Sequence, residues 1–170
     1  VLVPAGIASW LWLRNPGPTV PPSAYPLIRA GQAIRQHSRE PGRDRVLGPW
    51  SWGHLLGFAS GHPVVIDNVG AMLGRPLFEG ALSVLLQSRD EHVARWCASH
   101  GVRFLVLENP ATFARSTERM LGSTGLYGAS RAPTGRLQAT FWWRAFFATG
   151  DRPDLGRFRR LYSDSLRYGG

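Results

Sequence analysis

The chain has 170 residues, of which 44% are hydrophobic, and its formal net charge is +9. This composition excludes a disordered chain, because it supplies enough apolar surface for a buried core. The single cysteine, Cys97, excludes an internal disulfide, and no Cys/His spacing indicates a zinc site. All 20 basic residues are arginine, and such a surface favours anionic partners or serves solubility alone.

The first 13 residues are almost wholly apolar and are followed by Arg14. A helix of this length covers about 20 Å, whereas a bilayer core needs about 30 Å. Two tryptophans and an arginine near its end are typical of a membrane–water interface. Residues 1–14 therefore fit the tail of a transmembrane helix or a buried terminal element of a soluble protein. The proline-rich stretch 15–22 predicts a stiff linker.

The remaining residues, 23–170, predict one mixed α/β domain in which helices flank a small sheet. In its first half, hydrophobic periodicity and turn residues predict five elements. They are a helix over 23–37, a strand at 46–47, a short helix over 53–60 that ends at Gly61, a strand over 63–66 and a helix over 77–87.

The second half of the domain begins with Ser88 and Glu91, which have the spacing of a capping box and predict a helix that closes at Gly101. The elements predicted after it are a strand over 102–107, a helix from Pro110 to about Leu121, an aromatic-rich helix over 134–149 and a strand over 158–162. The many aromatic residues of 134–149 fit burial within the domain or contact with a membrane face.

The most informative stretch is a turn of sequence Pro-Trp-Ser-Trp-Gly, residues 49–53, which follows a predicted strand. Two tryptophans around a serine predict an aromatic ledge with one hydroxyl. Such a ledge can hold an extended peptide or a sugar face by stacking and a hydrogen bond. The residues alone also fit two buried tryptophans and a turn glycine. Asp67, after the next predicted strand, fits a loop cap or a place on the same surface.

This turn resembles the Trp-Trp-Asp-Tyr-Gly motif of oligosaccharyltransferase catalytic subunits, at the start of their soluble C-terminal domain. In bacterial and archaeal members the segment reads like Pro-Trp-Asp-Trp-Gly-His, and here His54 completes it. The resemblance continues through His62-Pro63-Val64-Val65, the following helices, the Val-Arg-Phe-Leu-Val strand and the closing segment 158–163. It covers most of the chain.

The resemblance implies a membrane glycosyltransferase that moves a lipid-linked glycan to an acceptor polypeptide, with this domain on the periplasmic or extracellular side. Pro49, Trp50 and Ser51 take the positions that contact the Ser or Thr hydroxyl of an Asn-X-Ser/Thr acceptor. Trp52 and Gly53 support them, and the neighbouring His54 is a candidate substrate contact. Catalysis and its Mg or Mn ion are implied to belong to the membrane part, so this chain alone is expected to be inactive and to bind no metal.

The sequence departs from the family pattern at two positions of the turn. Ser51 stands where the family has aspartate, and Pro49 stands where it has the first tryptophan. The family's second motif, which contains lysine or a Met-X-X-Ile variant, is also absent. Ser51 therefore offers the acceptor hydroxyl a neutral partner, which makes a hydrogen bond about half as strong as a charge-assisted one.

Two other interpretations are a non-catalytic glycan- or partner-binding module on a membrane anchor and a basic nucleic-acid-binding domain. The first has the same predicted fold as the glycosyltransferase domain. It differs from that interpretation in the sequence expected before Val1. The second draws on the arginines and aromatics, but the arginines are scattered and no RNP, helix-turn-helix or zinc pattern is present. We therefore expect no nucleic-acid partner.

Overall fold

A computed structural model describes residues 24–69, 74–110, 112–113, 115, 117, 125–127, 132–147 and 155–161. The expected transmembrane tail, 1–14, and the linker, 15–22, lie outside these residues. Within the described ranges, no helix combines the length and the apolar character needed to cross a bilayer.

The described residues form a mixed α/β domain with a small sheet and flanking helices, which confirms the predicted fold class. Its elements in chain order are α1 (Tyr25–His37), β1 (Arg45–Leu47), a 3-10 turn (Trp50–Trp52), α2 (Gly53–Ser60), α3 (Arg75–Val84), α4 (Asp90–Ser99), β2 (Val102–Leu105), α5 (Gly135–Gln138) and α6 (Phe141–Phe147). Helix α2 ends as predicted at Gly61, whose φ of 71° is left-handed and suits glycine.

The sheet is parallel and is built around β1. Strand β2 pairs with β1 on one side, where the Val106 N–H donates to the Leu47 carbonyl at 2.9 Å. On the other side Val64 forms an isolated parallel bridge to Val46. The predicted strand over 63–66 is reduced to this bridge, and Pro63 has no N–H with which to extend the ladder.

Two hydrophobic clusters include residues of the sheet, and a third, smaller one contains Leu126 and Leu137. Of the first two, the larger includes Leu47, Phe78, Leu82, Val93 and Trp142 and joins β1 to α3, α4 and α6. The other joins α1 and α2 to the sheet through Ile34, Val46, Leu56, Phe104 and Val106.

Helices α1 and α2 approach each other closely because Gly31 has no side chain. A Cβ atom there would lie 2.5 Å from the Ala59 Cβ and 2.9 Å from the Ala59 carbonyl carbon. Helix α2 is thereby held against α1. The 3-10 turn that precedes α2 is therefore also fixed in position.

The aromatic helix predicted over 134–149 is divided in two at Thr140. The Thr140 hydroxyl donates to the Leu137 carbonyl at 2.7 Å and accepts from the Trp143 N–H at 3.2 Å, which ends α5 and caps α6. The first two N–H groups of α6, of Phe141 and Trp142, donate to the carbonyls of Gln87 and Leu85. Helix α6 is therefore fixed to the end of α3.

Two further predictions of local structure are wrong. The capping box of Ser88 and Glu91 does not form, since α4 begins at Asp90 and its N-cap, Arg89, has no side-chain hydrogen bond. Asp90 instead forms an ion pair with Arg144 of α6. Residues 158–161 form no strand, because Phe158 packs its ring on that of Phe141 at 4.8 Å instead of joining the sheet.

We predict that Cys97 reacts with thiol reagents only when the chain unfolds. Its thiol is buried in the larger cluster, and burial raises its pKa to about 11, so little thiolate exists at neutral pH. Iodoacetamide labelling followed by mass spectrometry should be slower by at least ~100-fold in buffer than in guanidinium chloride, as about two units of pKa imply. Equal rates in the two solvents would contradict the burial.

Candidate functional site

The candidate site lies where the three parallel segments end. Strand β1 leads through Gly48 into the 3-10 turn, the Val64 bridge is followed by Asp67, and β2 is followed by Glu108. Parallel neighbours present their carboxyl ends at one edge, and ligands of open α/β sheets bind outside that edge. The topology therefore brings the predicted motif and two acidic residues to the same edge of the sheet.

The backbone of the turn is held by its own hydrogen bonds. The Trp52 N–H donates to the Pro49 carbonyl at 3.0 Å. The Gly53 N–H donates to the Trp50 carbonyl, so the 3-10 turn runs directly into α2. Pro49 itself is buried.

Trp50 points toward the core and forms a wall of the site. Its ring is half-buried and meets the Phe78 ring edge-on, with centroids 6.0 Å apart and planes at 70°. Its indole Nε1 is buried and, among the described residues, has no hydrogen-bond partner. An unpaired buried donor is costly, so a ligand carbonyl or a water molecule that reached this atom would be bound favourably.

Ser51 is the exposed member of the motif. Within the described part of the chain its hydroxyl has no hydrogen-bond partner, and its neighbour Trp52 is half-buried. Of the residues predicted to form the ledge, Ser51 is exposed and Trp52 is half-buried, whereas Pro49 is buried and Trp50 packs against Phe78.

Gly53 allows the turn to lie directly on the segment after Val64. A Cβ atom at Gly53 would be 2.5 Å from the Ile66 carbonyl oxygen and 2.7 Å from the Asp67 Cα. Contacts this short do not occur for real Cβ atoms, so no other residue fits without a shift of the backbone. The role of Gly53 is therefore to hold Ser51 and Asp67 on neighbouring, touching segments.

His54, the candidate substrate contact, forms a pair with Asp67. The His54 Nδ1 lies 3.5 Å from the Asp67 Oδ2, and the His54 side chain remains 60% exposed. The other oxygen, Oδ1, accepts from the Val69 N–H at 2.9 Å, so Asp67 both caps its loop and faces His54. The two alternatives for Asp67, a loop cap and a place at the site, are thus compatible.

Glu108 is a residue of this edge that the sequence reasoning missed. Its carboxyl is half-buried, and the loss of hydration raises its pKa to about 7. Its carbonyl accepts from the Trp142 indole N–H at 2.8 Å. The signal in the sequence was an acidic residue soon after the clearest predicted strand, where α/β proteins place functional groups.

The described residues contain no group of three His, Cys, Asp or Glu side chains that could hold a metal ion. We therefore assign no step to a metal held by Asp67 and His54. Comparisons with protein-family models, with curated proteins and with solved structures gave no match.

We predict that Gly53→Ala destabilises the domain by roughly 1–3 kcal/mol, because the added methyl group overpacks against Ile66 and Asp67. Gly57→Ala in the same helix is the matched control. Its Cβ would have no neighbour closer than 3.6 Å, so it should stabilise α2 by about 0.5–1 kcal/mol. Urea unfolding of both variants measures the difference, and an unchanged midpoint for Gly53→Ala would contradict the close contact.

A second prediction concerns the pH dependence of stability. The pKa of Glu108 is about 7 in the folded chain and near 4.3 in an unfolded one. Its contribution to stability is therefore complete below about pH 4 and is lost as the pH rises through 7. At pH 8, Glu108→Gln should be more stable than the wild type by on the order of 1–3 kcal/mol, since it removes a half-buried charge.

At pH 4 the same Glu108→Gln variant should match the wild type. Glu91→Gln is the control, because Glu91 is exposed in the first turn of α4. The loss of its charge should lower the free energy of unfolding slightly at pH 8, because the charge–dipole interaction of the helix is weakened. Urea titrations at both pH values test this, and a Glu108→Gln effect of equal size at pH 4 and pH 8 would refute the assignment.

Proposed function

We propose that this chain is the acceptor-binding domain of an oligosaccharyltransferase-like membrane glycosyltransferase, on the periplasmic or extracellular side. The observation that carries the proposal is the Ser51 hydroxyl, which is exposed and, among the described residues, has no partner, in a turn whose backbone is fixed on both sides. A rigid polar group beside an aromatic ring is suited to an extended polypeptide. The resemblance of residues 49–54 to the family motif implies that the polypeptide is a glycan acceptor.

In this proposal each residue of the motif has a separate task. Ser51 accepts a hydrogen bond from the acceptor's Ser or Thr hydroxyl, and Trp52 packs against the acceptor backbone. Trp50 anchors the turn by packing its ring edge-on against Phe78. His54, placed by Asp67, contacts the acceptor one helical turn further on.

The domain contributes binding and orientation to the reaction. Holding the acceptor in a fixed place raises its effective concentration at the reacting centre. The lipid-linked glycan, its divalent Mg or Mn ion and the catalytic acids belong, in this proposal, to a membrane domain that lies outside this chain. The chain alone then binds acceptor peptide without transferring glycan.

The test is the binding of a labelled Asn-X-Thr peptide, compared with an Asn-X-Val peptide of nearly equal shape that lacks the hydroxyl. Ser51→Ala should lower the affinity for the Thr peptide by roughly two- to tenfold, the value of one neutral hydrogen bond. Ser51→Asp should raise it by a similar factor, because a carboxylate accepts more strongly. Neither variant should change the affinity for the Val peptide.

Ser99→Ala is the control variant, since Ser99 is an exposed serine whose hydroxyl already donates to the Trp96 carbonyl. It should bind both peptides as the wild type does. If Ser51→Ala and Ser51→Asp also leave the Thr peptide unchanged, the proposed site is wrong. The same variants in membranes that contain the full-length protein should change glycan transfer in parallel with peptide affinity.

A further inference from the structure

Helix α2 turns one side away from the domain, and that side carries an exposed phenylalanine. Phe58 is 84% exposed, whereas Leu56 and Ala59 on the inner side are buried. The inner side is held by the contact with α1, since a Cβ atom at Gly31 would lie 2.5 Å from the Ala59 Cβ. Helix α2 therefore cannot rotate about its axis to bury the Phe58 ring without losing this contact.

The end of α2 that carries Phe58 is held by hydrogen bonds. The Arg35 guanidinium of α1 donates to the Phe58 carbonyl through Nη2 and to the Ser60 carbonyl through Nε, both at 3.4 Å. The helix then closes at Gly61, whose N–H donates to the Gly57 carbonyl at 2.9 Å. The backbone at Phe58 is thus held in place while its ring lies in solvent.

Phe58 lies on the same side of α2 as two residues of the candidate site. His54 is four residues before it, and Ser51 is three residues before His54. Residues three or four apart share one side of a helix, and all three side chains are exposed. The His54 Nδ1 also lies 3.5 Å from the Asp67 Oδ2. One exposed surface, here called the α2 stripe, therefore runs from Ser51 past His54 to Phe58.

We propose that the acceptor polypeptide bound at Ser51 continues along the α2 stripe, and that Phe58 selects an apolar side chain on the acceptor's C-terminal side. The inference rests on the proposed function and names a sequence preference of the same site. The acceptor asparagine precedes the hydroxyl and has to reach a reacting centre that the proposal places outside this chain. The acceptor residues before the hydroxyl therefore leave the domain, and those after it are free to follow α2.

The spacing along α2 determines which acceptor residues reach the ring. Ser51 and Phe58 are seven positions apart, which is about 10 Å at ~1.5 Å per residue. An extended chain covers this distance in about three residues of ~3.3 Å each, and its side chains point alternately to opposite faces. The side chains on the same face as the hydroxyl are those two and four residues after it, and they bracket the position of the Phe58 ring.

The experiment compares two labelled peptides of identical composition, whose binding to the whole chain is measured by fluorescence anisotropy. In Asn-Ala-Thr-Gly-Phe-Gly-Phe the rings share the face of the threonine hydroxyl, and in Asn-Ala-Thr-Phe-Gly-Phe-Gly they point to the other face. We expect the first peptide to bind about two- to tenfold more tightly, which is the value of an aromatic pair. Phe58→Ala should remove this difference and leave the preference for threonine over valine unchanged.

Phe147→Ala is the matched control variant. Phe147 is also an exposed phenylalanine, at 52%, but it lies at the end of α6 and not on the α2 stripe. This variant should keep the wild-type difference between the two peptides. An equal loss in Phe147→Ala and Phe58→Ala would overturn the inference, because the effect would then not belong to the stripe.

Equal affinities of the wild type for the two peptides, or a difference that survives Phe58→Ala, would also overturn the inference. So would a dimer that Phe58→Ala dissociates in sedimentation experiments, since the stripe would then be an interface between copies of this chain. A preference for threonine over valine without a difference between the two peptides would reject the inference alone. A difference that depends on Phe58, without a preference for threonine, would support the stripe and reject the role of Ser51.

Discussion

The geometry of the candidate site depends on the direct contact between the backbone at Gly53 and the segment that contains Ile66 and Asp67. This contact places the turn after β1 on the loop after Val64, and neither can move without the other. It also starts α2 at a fixed point, and the close approach of Gly31 to Ala59 holds the same helix from its other end. Two glycines thus determine where Ser51 is presented, although neither has a side chain that could touch a ligand.

The two tryptophans of the motif have different roles, although they stand two residues apart. Trp50 uses its ring to join the turn to Phe78 and the larger cluster, and its indole N–H is buried without a partner among the residues that the structure describes. Trp52 is half-buried at the surface beside the exposed serine. A turn built in this way is fixed on the side of the core and carries an exposed hydroxyl on the side of solvent.

The fold class and most helices could be predicted from the sequence, because they depend on local periodicity and on turn residues such as Gly61. The division of the aromatic helix at Thr140, the uncapped start of α4 and the absence of a strand after Phe158 could not. Each depends on a tertiary partner: the carbonyls at the end of α3, the pairing of Arg144 with Asp90, and the ring of Phe141. At the candidate site, sequence reasoning named the motif and His54, whose roles stay predictions. It missed Glu108, whose position follows from the parallel alignment of β2 with β1 and from partial burial.

The hydrogen bond from the Trp142 indole to the Glu108 carbonyl joins α6 to the segment that follows β2. Trp142 is fully buried and stacks on Phe113 with centroids 3.5 Å apart, so α6 cannot slide independently of the backbone that follows β2. Phe147 lies at the far end of the same short helix, one and a half turns away. A displacement of the outer end of α6 along its axis therefore also displaces the backbone at Glu108, which accepts the Trp142 hydrogen bond.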